Sequence, residues 1–418
     1  MSFSTLKLIF SSSFLRNVGW LGAAEMVNRV FRLGTTVTLA RSFGSEEYGL
    51  MAVIYTTFEF ASVLTLRDGI GSKIVQADEQ EIHAVCNTAY WLNWLFCIAM
   101  FLIQCFAAFP IAHFYRNDQL ILPLCVVGLV YLMLPTFMIQ SALIHRENRL
   151  KIRAMCNAAQ SIVLNILTII LAALQFKIWA IVIPMVISTP IWTVITWRNH
   201  AWRPPKTIHL EKWRDITSFG GQIFAIEVLK KLRGNIDYLI AGRFLGMEAL
   251  GLYFFAFNAG LGISLNVINL CSSAVLPHLC QARDNQAELK QRYFKTIKQI
   301  SAIVVPLVLL QASLAPLYVP IIFGQKWSPA VPILMLICLS ALMFPVAIVT
   351  NEVLNALGKV HITLYWNLFY TILFTLAILV GVQWGLWGIV IAVLACQVAI
   401  LPLFSIWTNR TFFSQHSS

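Results

Sequence analysis

Apolar residues fall into long runs, about 20 residues each, separated by short clusters of charged residues, glycine and proline. A helix of this length crosses the hydrocarbon core of a bilayer. The pattern therefore predicts an all-α polytopic membrane protein with about 12 transmembrane helices. The twelve runs span residues 18–40, 49–66, 84–109, 120–144, 154–176, 178–197, 216–240, 250–276, 297–320, 330–353, 362–382 and 386–407.

Composition supports the same assignment. Hydrophobic residues make up 59% of the chain and charged residues 11%, whereas a soluble domain has about 25% charged residues. A single globular core could not bury this much apolar surface. The start of the chain shows no small-residue cleavage site after its apolar patch, so we expect no removable signal peptide.

Lysine and arginine positions predict the orientation of the helices. With the N-terminus in the cytoplasm, 20 of the 30 Lys and Arg residues lie on the cytoplasmic side, five lie outside and five lie within the runs. We therefore expect both termini in the cytoplasm. The formal net charge of +12 follows mostly from this topology, and no nucleic-acid partner is predicted.

A ten-residue motif occurs twice, almost half the chain apart. "RSFGSEEYGL", residues 41–50, returns as "RFLGMEALGL", residues 243–252, with five identical residues in register at an offset of 202. The first glycine of each copy suits a left-handed turn after a helix, and the glutamate suits the N-terminal dipole of the next helix. These structural roles are predicted for Gly44, Gly246, Glu46 and Glu248.

The repeat continues into the membrane. Glu25 matches Glu227 at the same offset, and Pro135 later matches Pro345 at an offset of 210, which predicts a pair of equivalent helix bends. Because six is an even number of crossings, both copies begin on the same side of the membrane. The copies are therefore related by an axis along the membrane normal, as in many transporters. We predict two six-helix lobes with a cytoplasmic linker between them: residues 1–200, 201–215 and 216–418.

Ionisable side chains inside the first and seventh runs are the leading functional candidates, because each costs about 3 kcal/mol to place in a bilayer. The first run holds three within an arc of about 60°, and the seventh holds five over a wider arc. Five cations against three anions leave an excess of two positive charges, which favours an anionic passenger. The eight residues are Glu25, Arg29, Arg32, Glu227, Lys230, Lys231, Arg233 and Asp237.

Each of these side chains receives a predicted role. The five cations are candidates for binding anionic groups of a substrate, and three asparagines on one face of the eighth run, Asn258, Asn266 and Asn269, are candidates for binding sugar hydroxyls. The four acidic residues Glu25, Glu59, Glu227 and Asp237 are candidates for ion coupling or charge balance. Two alternatives stay open. First, Glu59 is either a hydrogen-bonded packing residue or a protonation site. Second, the i,i+4 pairs Glu25–Arg29 and Arg233–Asp237 either serve the substrate or only neutralise each other's charge so that the helices insert.

Three segments carry a resemblance to a known family: "LARSFGSEEYGL", "RGNIDYLIAGRFLGMEALGLYFFAFNAG" and "VLNALGK". Over nearly its whole length the chain resembles the O-antigen and exopolysaccharide repeat-unit flippases of the multidrug/oligosaccharidyl-lipid/polysaccharide exporter superfamily. The resemblance implies two six-helix lobes in a V around a central cavity. It also implies transport of a polyprenyl-diphosphate-linked oligosaccharide across the bacterial inner membrane, with membrane lipids and other polysaccharide assembly proteins as partners.

The chemistry of the chain favours a transporter over an enzyme. No GxxxxGK[ST] phosphate-binding loop is present, so a proton or sodium gradient is the expected energy source, with no cofactor and no metal. The nine cysteines are expected to be small buried apolar residues. Three alternatives are disfavoured: a cationic-drug exporter needs an acidic cavity, a cell-wall-precursor flippase usually has two more helices, and a glycan polymerase or ligase needs a sizeable outside loop.

Overall fold

The structure is a computed structural model that describes residues 13–65, 67–205, 207 and 213–413, and it contains no strand in those ranges. The described side chains exclude those of residues 13–27, 67, 68, 215, 216, 218–226, 230, 263, 266, 267, 269–271 and 273. Over the described chain we number the α-helices in order: α1 (Ser13–Ser42), α2 (Ser45–Leu64), α3 (Arg67–Gln76), α4 (Ile82–Tyr115), α5 (Ile121–Met133), α6 (Met138–Arg146), α7 (Leu150–Ala173), α8 (Trp179–Ser188), α9 (Pro190–Asn199), α10 (Trp213–Ala259), α11 (Leu261–Cys280), α12 (Gln286–Tyr318), α13 (Val331–Ser340), α14 (Phe344–Ala356), α15 (Val360–Gly381) and α16 (Gly385–Phe413).

The predicted all-α, multi-pass fold class is confirmed. Each of the twelve apolar runs lies mainly on one or two of these helices. In the described part of the chain, nine continuous stretches are long and apolar enough to cross a membrane, and the longest, Val360–Phe413, contains two predicted runs. The charged helix α1 is not among the nine, and the sequence did not predict the short helix α3. The number of crossings stays a prediction.

Both predicted proline bends are confirmed. Pro135 lies in the 3₁₀ turn Leu134–Thr136, which separates α5 from α6. Pro345 lies in the first turn of α14, directly after the 3₁₀ turn Ala341–Met343. Proline has no amide hydrogen and its ring clashes with the preceding turn, so each proline sets the point at which an apolar run changes helix.

The structure explains the two copies of the motif in different ways. Gly246 adopts the predicted left-handed backbone, with φ of 86°, and bends α10. The same prediction was wrong for Gly44, which has no positive φ. Gly44 directly precedes α2, and its amide donates to Glu47 Oε2 at 2.9 Å, as in a capping box. Glu46 lies in the first turn of α2, as predicted.

The helices form two compact units. The N-unit comprises the chain up to Phe43 together with Val53–Leu232, and the C-unit comprises Gly44–Ala52 together with the chain from Arg233 onward. Helix α10 contributes its first part to the N-unit and its second part to the C-unit. The predicted lobes and linker stay predictions.

Polar contacts between helices hold the N-unit together. Thr35 Oγ1 of α1 donates to Asn165 Oδ1 of α7 at 2.8 Å. Gln104 of α4 donates to the Leu124 carbonyl of α5 at 2.6 Å, and its amide oxygen accepts from the Tyr131 hydroxyl at 2.9 Å. Lipid tails cannot supply hydrogen-bond partners, so buried polar groups in a bilayer must find them on neighbouring helices.

A charged cluster lies between α6 and α7, outside the membrane spans. The Glu147 carboxylate contacts Arg149 Nη1 and His200 Nε2, each at 3.1 Å. Burial by itself would raise the pKa of Glu147, but the hydrogen bonds and charges of these two partners outweigh it and hold that pKa below its usual value. Arg149 also donates to the Asn199 carbonyl at 2.9 Å, which ties this loop to the end of α9.

Four aromatic side chains form a cluster within the C-unit. Trp327 is buried and stacks on Phe255, with ring centroids 4.0 Å apart. Tyr48, from the first copy of the motif, meets the Trp327 ring edge-on at 4.7 Å. Phe323 closes the cluster against Phe255 at 5.2 Å. These large rings bury more apolar area than aliphatic side chains and so fix the contacts of the segment that follows Gly44.

Candidate functional site

The predicted charges lie on α1 and α10, but not every side chain can be placed. Glu25, Lys230, Asn266 and Asn269 fall outside the described side chains. Arg29 and Arg32 of α1 are exposed, and Glu227 of α10 is half-buried. The binding roles of both arginines stay predictions.

Lys231 and Glu59 form an ion pair within the N-unit. Lys231 Nζ of α10 lies 2.9 Å from Glu59 Oε2 of α2, and the two side chains are 34% and 47% exposed. The pair favours charge balance as the role of Glu59 over packing alone. Glu59 was not counted in the predicted excess of two positive charges. Its pairing with Lys231 lowers that excess to one.

Arg233 and Asp237 line a cavity of about 360 Å³ inside the C-unit, which we call the C-unit cavity. They are one helical turn apart, yet neither bonds to the other among the described contacts. Arg233 donates to Asn367 Oδ1 of α15. Asp237 is buried and accepts from the Tyr253 hydroxyl at 2.7 Å and from the Tyr238 amide at 3.0 Å. Arg233 thus has its partner on a neighbouring helix and Asp237 has its partners further along α10, where the i,i+4 alternative had paired the two charges with each other.

The rest of the C-unit cavity combines aromatic rings with side-chain amides. The amide oxygens of Asn351 and Gln397 are buried, and no hydrogen-bond partner for them exists in the described part of the protein. Buried acceptors normally have partners, so these two are available to a donor in the cavity. Its aromatic wall residues are Tyr253, Phe257, Phe344, Trp366, Tyr370 and Phe374.

A second cavity, of about 260 Å³, lies inside the N-unit, and we call it the N-unit cavity. Phe58, Phe137 and Trp192 provide its aromatic wall, and Asn157 and Gln160 provide amides. The Trp192 indole donates to Gln160 Oε1 at 2.7 Å, which leaves the amide nitrogen of Gln160 free to donate. Sequence reasoning missed these residues because amides and aromatic rings inside an apolar run carry no charge signal.

Asn258 is the one described member of the predicted asparagine face. It is exposed, and its Nδ2 donates to the Phe254 carbonyl one turn earlier at 2.8 Å. Its Oδ1 remains able to accept from a ligand hydroxyl. The structure therefore pairs Lys231 with Glu59 of α2. It places Arg233 and Asp237 on the wall of the C-unit cavity. For Asn258 it shows exposure only.

The fold of the chain is similar to that of transporters of the MOP superfamily. The chain superposes on an inward-facing MATE-family multidrug resistance transporter of that superfamily with a TM-score of 0.72 and 13% identity, covering 94% of this chain and 96% of that one. It superposes on the lipid II flippase MurJ in an inward closed conformation with a TM-score of 0.74 and 13% identity, covering 94% and 88%. At such identity the likeness shows the fold.

The chain belongs to the polysaccharide biosynthesis protein family, which it matches over residues 38–332. It is 25% identical to the teichuronic acid biosynthesis protein TuaB of Bacillus subtilis over 78% of this chain and 68% of that one. It is 24% identical to the lipopolysaccharide biosynthesis protein WzxC of Escherichia coli over 91% of this chain and 77% of that one. It is 21% identical to the succinoglycan biosynthesis transport protein ExoT of Rhizobium meliloti over 88% of this chain and 74% of that one.

Proposed function

We propose that the protein is a flippase for a polyprenyl-diphosphate-linked oligosaccharide, the repeat unit of an O-antigen or exopolysaccharide. It moves this lipid from the cytoplasmic to the periplasmic leaflet of a bacterial inner membrane by alternating access, with both termini in the cytoplasm. Relatives named for lipopolysaccharide, teichuronic acid and succinoglycan biosynthesis support a lipid-linked glycan as the substrate. A fold shared with the lipid II flippase supports translocation.

The observation that carries this proposal is the set of charges inside α10. Lys231, Arg233 and Asp237 lie within seven residues of one membrane helix, where each charge is costly unless it has a function or a partner. A diphosphate headgroup bearing sugars needs cations and amides in a wet site, while its polyprenyl tail stays in the bilayer. The candidates for the diphosphate and any acidic sugars are the five cations Arg29, Arg32, Lys230, Lys231 and Arg233. The candidates for sugar hydroxyls are Asn258, Asn266 and Asn269.

Energy for transport comes from an ion gradient in this proposal. Asp237 is the strongest candidate for the coupling site, because it is a buried carboxylate on a cavity wall that is held by two hydrogen bonds. A proton or a sodium ion on this carboxylate would remove its charge and change its contacts. Glu25, Glu59 and Glu227 are assigned to charge balance, and other polysaccharide assembly proteins are expected partners on either side of the membrane.

Transport rather than catalysis is proposed. The relatives are named for polysaccharide biosynthesis, and one of them is named a transport protein. The superposed structures are a multidrug transporter and a lipid flippase. A drug-exporting MATE protein shares the fold. A drug cation would suit a cavity whose charge is negative, whereas the described wall of the C-unit cavity carries Arg233 together with Asp237.

The test is the amount and sidedness of polyprenyl-linked oligosaccharide in cells that lack the gene. Complementation uses the wild type, Lys231→Ala and, as a matched control, Lys290→Ala on an exposed face of α12. We expect the lipid-linked glycan to accumulate on the cytoplasmic leaflet, with relief by the wild type and by Lys290→Ala only. Correctly translocated but unpolymerised units would indicate a polymerase. An unchanged lipid-linked pool would refute the flippase proposal and favour a drug exporter.

A further inference from the structure

The N-unit cavity and the C-unit cavity occupy equivalent positions of the internal repeat. Six residues between Val130 and Leu164 line the N-unit cavity, and the residue 210 positions later lines the C-unit cavity in all six cases. Two independent packing defects would not coincide in this way. The three most informative pairs are Leu134 with Phe344, Asn157 with Asn367, and Gln160 with Tyr370.

The two cavities also share their chemistry. Each sets an asparagine from the same repeat position beside aromatic rings, which are Phe58 and Trp192 in the N-unit and Trp366 in the C-unit. Trp366 is itself held by stacking on Phe404, with parallel rings 4.0 Å apart. An aromatic face accepts the apolar face of a pyranose ring, and amides hydrogen-bond to the hydroxyls at its edge.

Size limits what these cavities can hold. Small-molecule sites have volumes of roughly 300–1,000 Å³. The C-unit cavity, of about 360 Å³, lies near the lower limit of this range, and the N-unit cavity, of about 260 Å³, lies just below it. Each is suited to a single sugar ring and is too small for a diphosphate-linked oligosaccharide. A pair of equivalent cation sites does not explain both cavities, because the described wall of the N-unit cavity contains no charged residue.

We propose that each half of the chain carries its own monosaccharide-binding site, one in the N-unit cavity and one in the C-unit cavity, and that each takes one pyranose ring of the transported glycan. This inference rests on the proposed function. It adds binding roles for Asn157, Gln160, Asn367 and Trp366, none of which carries a charge.

The two sites differ in the sugar they accept. The uncharged wall of the N-unit cavity suits a neutral pyranose. In the C-unit cavity Arg233 bonds to the neutral Asn367 and keeps further N–H donors for a carboxylate, while Asp237 is occupied by Tyr253 and the Tyr238 amide. The C-unit site therefore takes an acidic pyranose, a uronic acid.

The experiment titrates the purified full-length protein in nanodiscs with methyl pyranosides of gluco, galacto and manno configuration, and with the corresponding uronates. Binding is followed by tryptophan fluorescence and calorimetry. We expect Asn157→Leu to weaken binding of a neutral pyranoside at least tenfold and to leave uronate binding unchanged. Arg233→Gln is expected to weaken uronate binding at least tenfold and to leave the neutral sugar unaffected. Asn199→Leu, on α9 outside both cavities, is the matched control.

Three outcomes would overturn the inference: no sugar of the panel binds the wild type, both variants bind like the wild type, or sodium chloride alone reproduces the response and no sugar competes with it. Membrane abundance and melting temperature establish that each variant folds. The leaflet assay separates this inference from the proposed function. Cells lacking the gene accumulate the lipid-linked glycan if the function is right, and full rescue by both Asn157→Leu and Asn367→Leu would refute the sugar sites alone.

Discussion

Gly49 and Gly251, which occupy equivalent positions in the two copies of the motif, lie where α2 and α10 cross in backbone contact. A Cβ on Gly49 would lie 2.1 Å from the Met247 carbonyl oxygen, and a Cβ on Gly251 would lie 1.7 Å from the Ser45 carbonyl oxygen. Small residues permit this close approach of membrane helices. Each copy of the motif is therefore the packing surface for the other, which explains why the glycines occur in both.

Alanine at either glycine is expected to destabilise the protein. Gly49→Ala and Gly251→Ala force the crossing apart and should cost about 1–3 kcal/mol, the usual cost of overpacking. The measurements are membrane abundance and melting temperature in detergent. Gly71→Ala is the control, because a Cβ there has no atom within 4 Å. Melting of both variants at the wild-type temperature would contradict the close crossing.

Loss of Lys231 is expected to abolish transport and leave abundance normal. Both side chains of the Lys231–Glu59 pair are partly exposed, so Lys231→Ala should fold, and Arg29→Ala, at an exposed side chain, should behave alike. The leaflet assay gives the readout. If Glu59 serves to hold Lys231, the exchanged pair Glu59→Lys with Lys231→Glu should transport better than either single variant. Wild-type transport by Lys231→Ala would remove this residue from the substrate path.

Neutralising Asp237 is expected to uncouple transport from the ion gradient. Asp237→Asn keeps the size of the side chain and an oxygen that accepts from the Tyr253 hydroxyl, but it removes the charge that a proton or a sodium ion would bind. Transport in proteoliposomes should no longer respond to an imposed proton or sodium gradient. Tyr253→Phe is the control, since it removes the hydrogen bond and retains the carboxylate. Gradient-stimulated transport by Asp237→Asn would assign coupling elsewhere.

The Glu147 cluster is expected to give a stability contribution that depends on pH. Because its partners lower the pKa of Glu147 in the folded protein, the contribution is complete above the unfolded value of 4.5 and is lost as pH falls through the lower folded value. The wild type should therefore melt above Glu147→Gln at neutral pH, and the difference should vanish in strong acid. Melting curves of both proteins across this range provide the measurement. A difference that persists at the acid end would contradict the ion-pair explanation.

Removal of the buried tryptophan of the C-unit is expected to be severe. Trp327 is 1% exposed and contacts Phe255 and Tyr48, so Trp327→Ala should cost about 3–5 kcal/mol and sharply lower membrane abundance. Trp384→Ala, at a side chain that is 68% exposed, is the matched control. Equal abundance of the two variants would show that the aromatic cluster contributes little.

Helix positions and bends could be predicted from the sequence because they depend on local chemistry. An apolar run in a bilayer must be helical to satisfy its own backbone groups, and Pro135 and Pro345 each lie where such a helix is interrupted. The left-handed residues show the limit of this reasoning. Asn148 and Gly358 share a positive φ at the 210-residue offset, as do Gln175 and Gly385, although the residue types differ within each pair.

The sequence by itself determined the helical membrane class, the proline bends and the charges on α1 and α10, since each follows from residue type and spacing along one helix. Only the tertiary structure decided the partners of those charges and the walls of the two cavities. Lys231 meets Glu59 from 172 positions away, and Arg233 meets Asn367 from 134 positions away. Helical periodicity gives the angle between two side chains of one helix, but the packing of the other helices decides what each side chain faces.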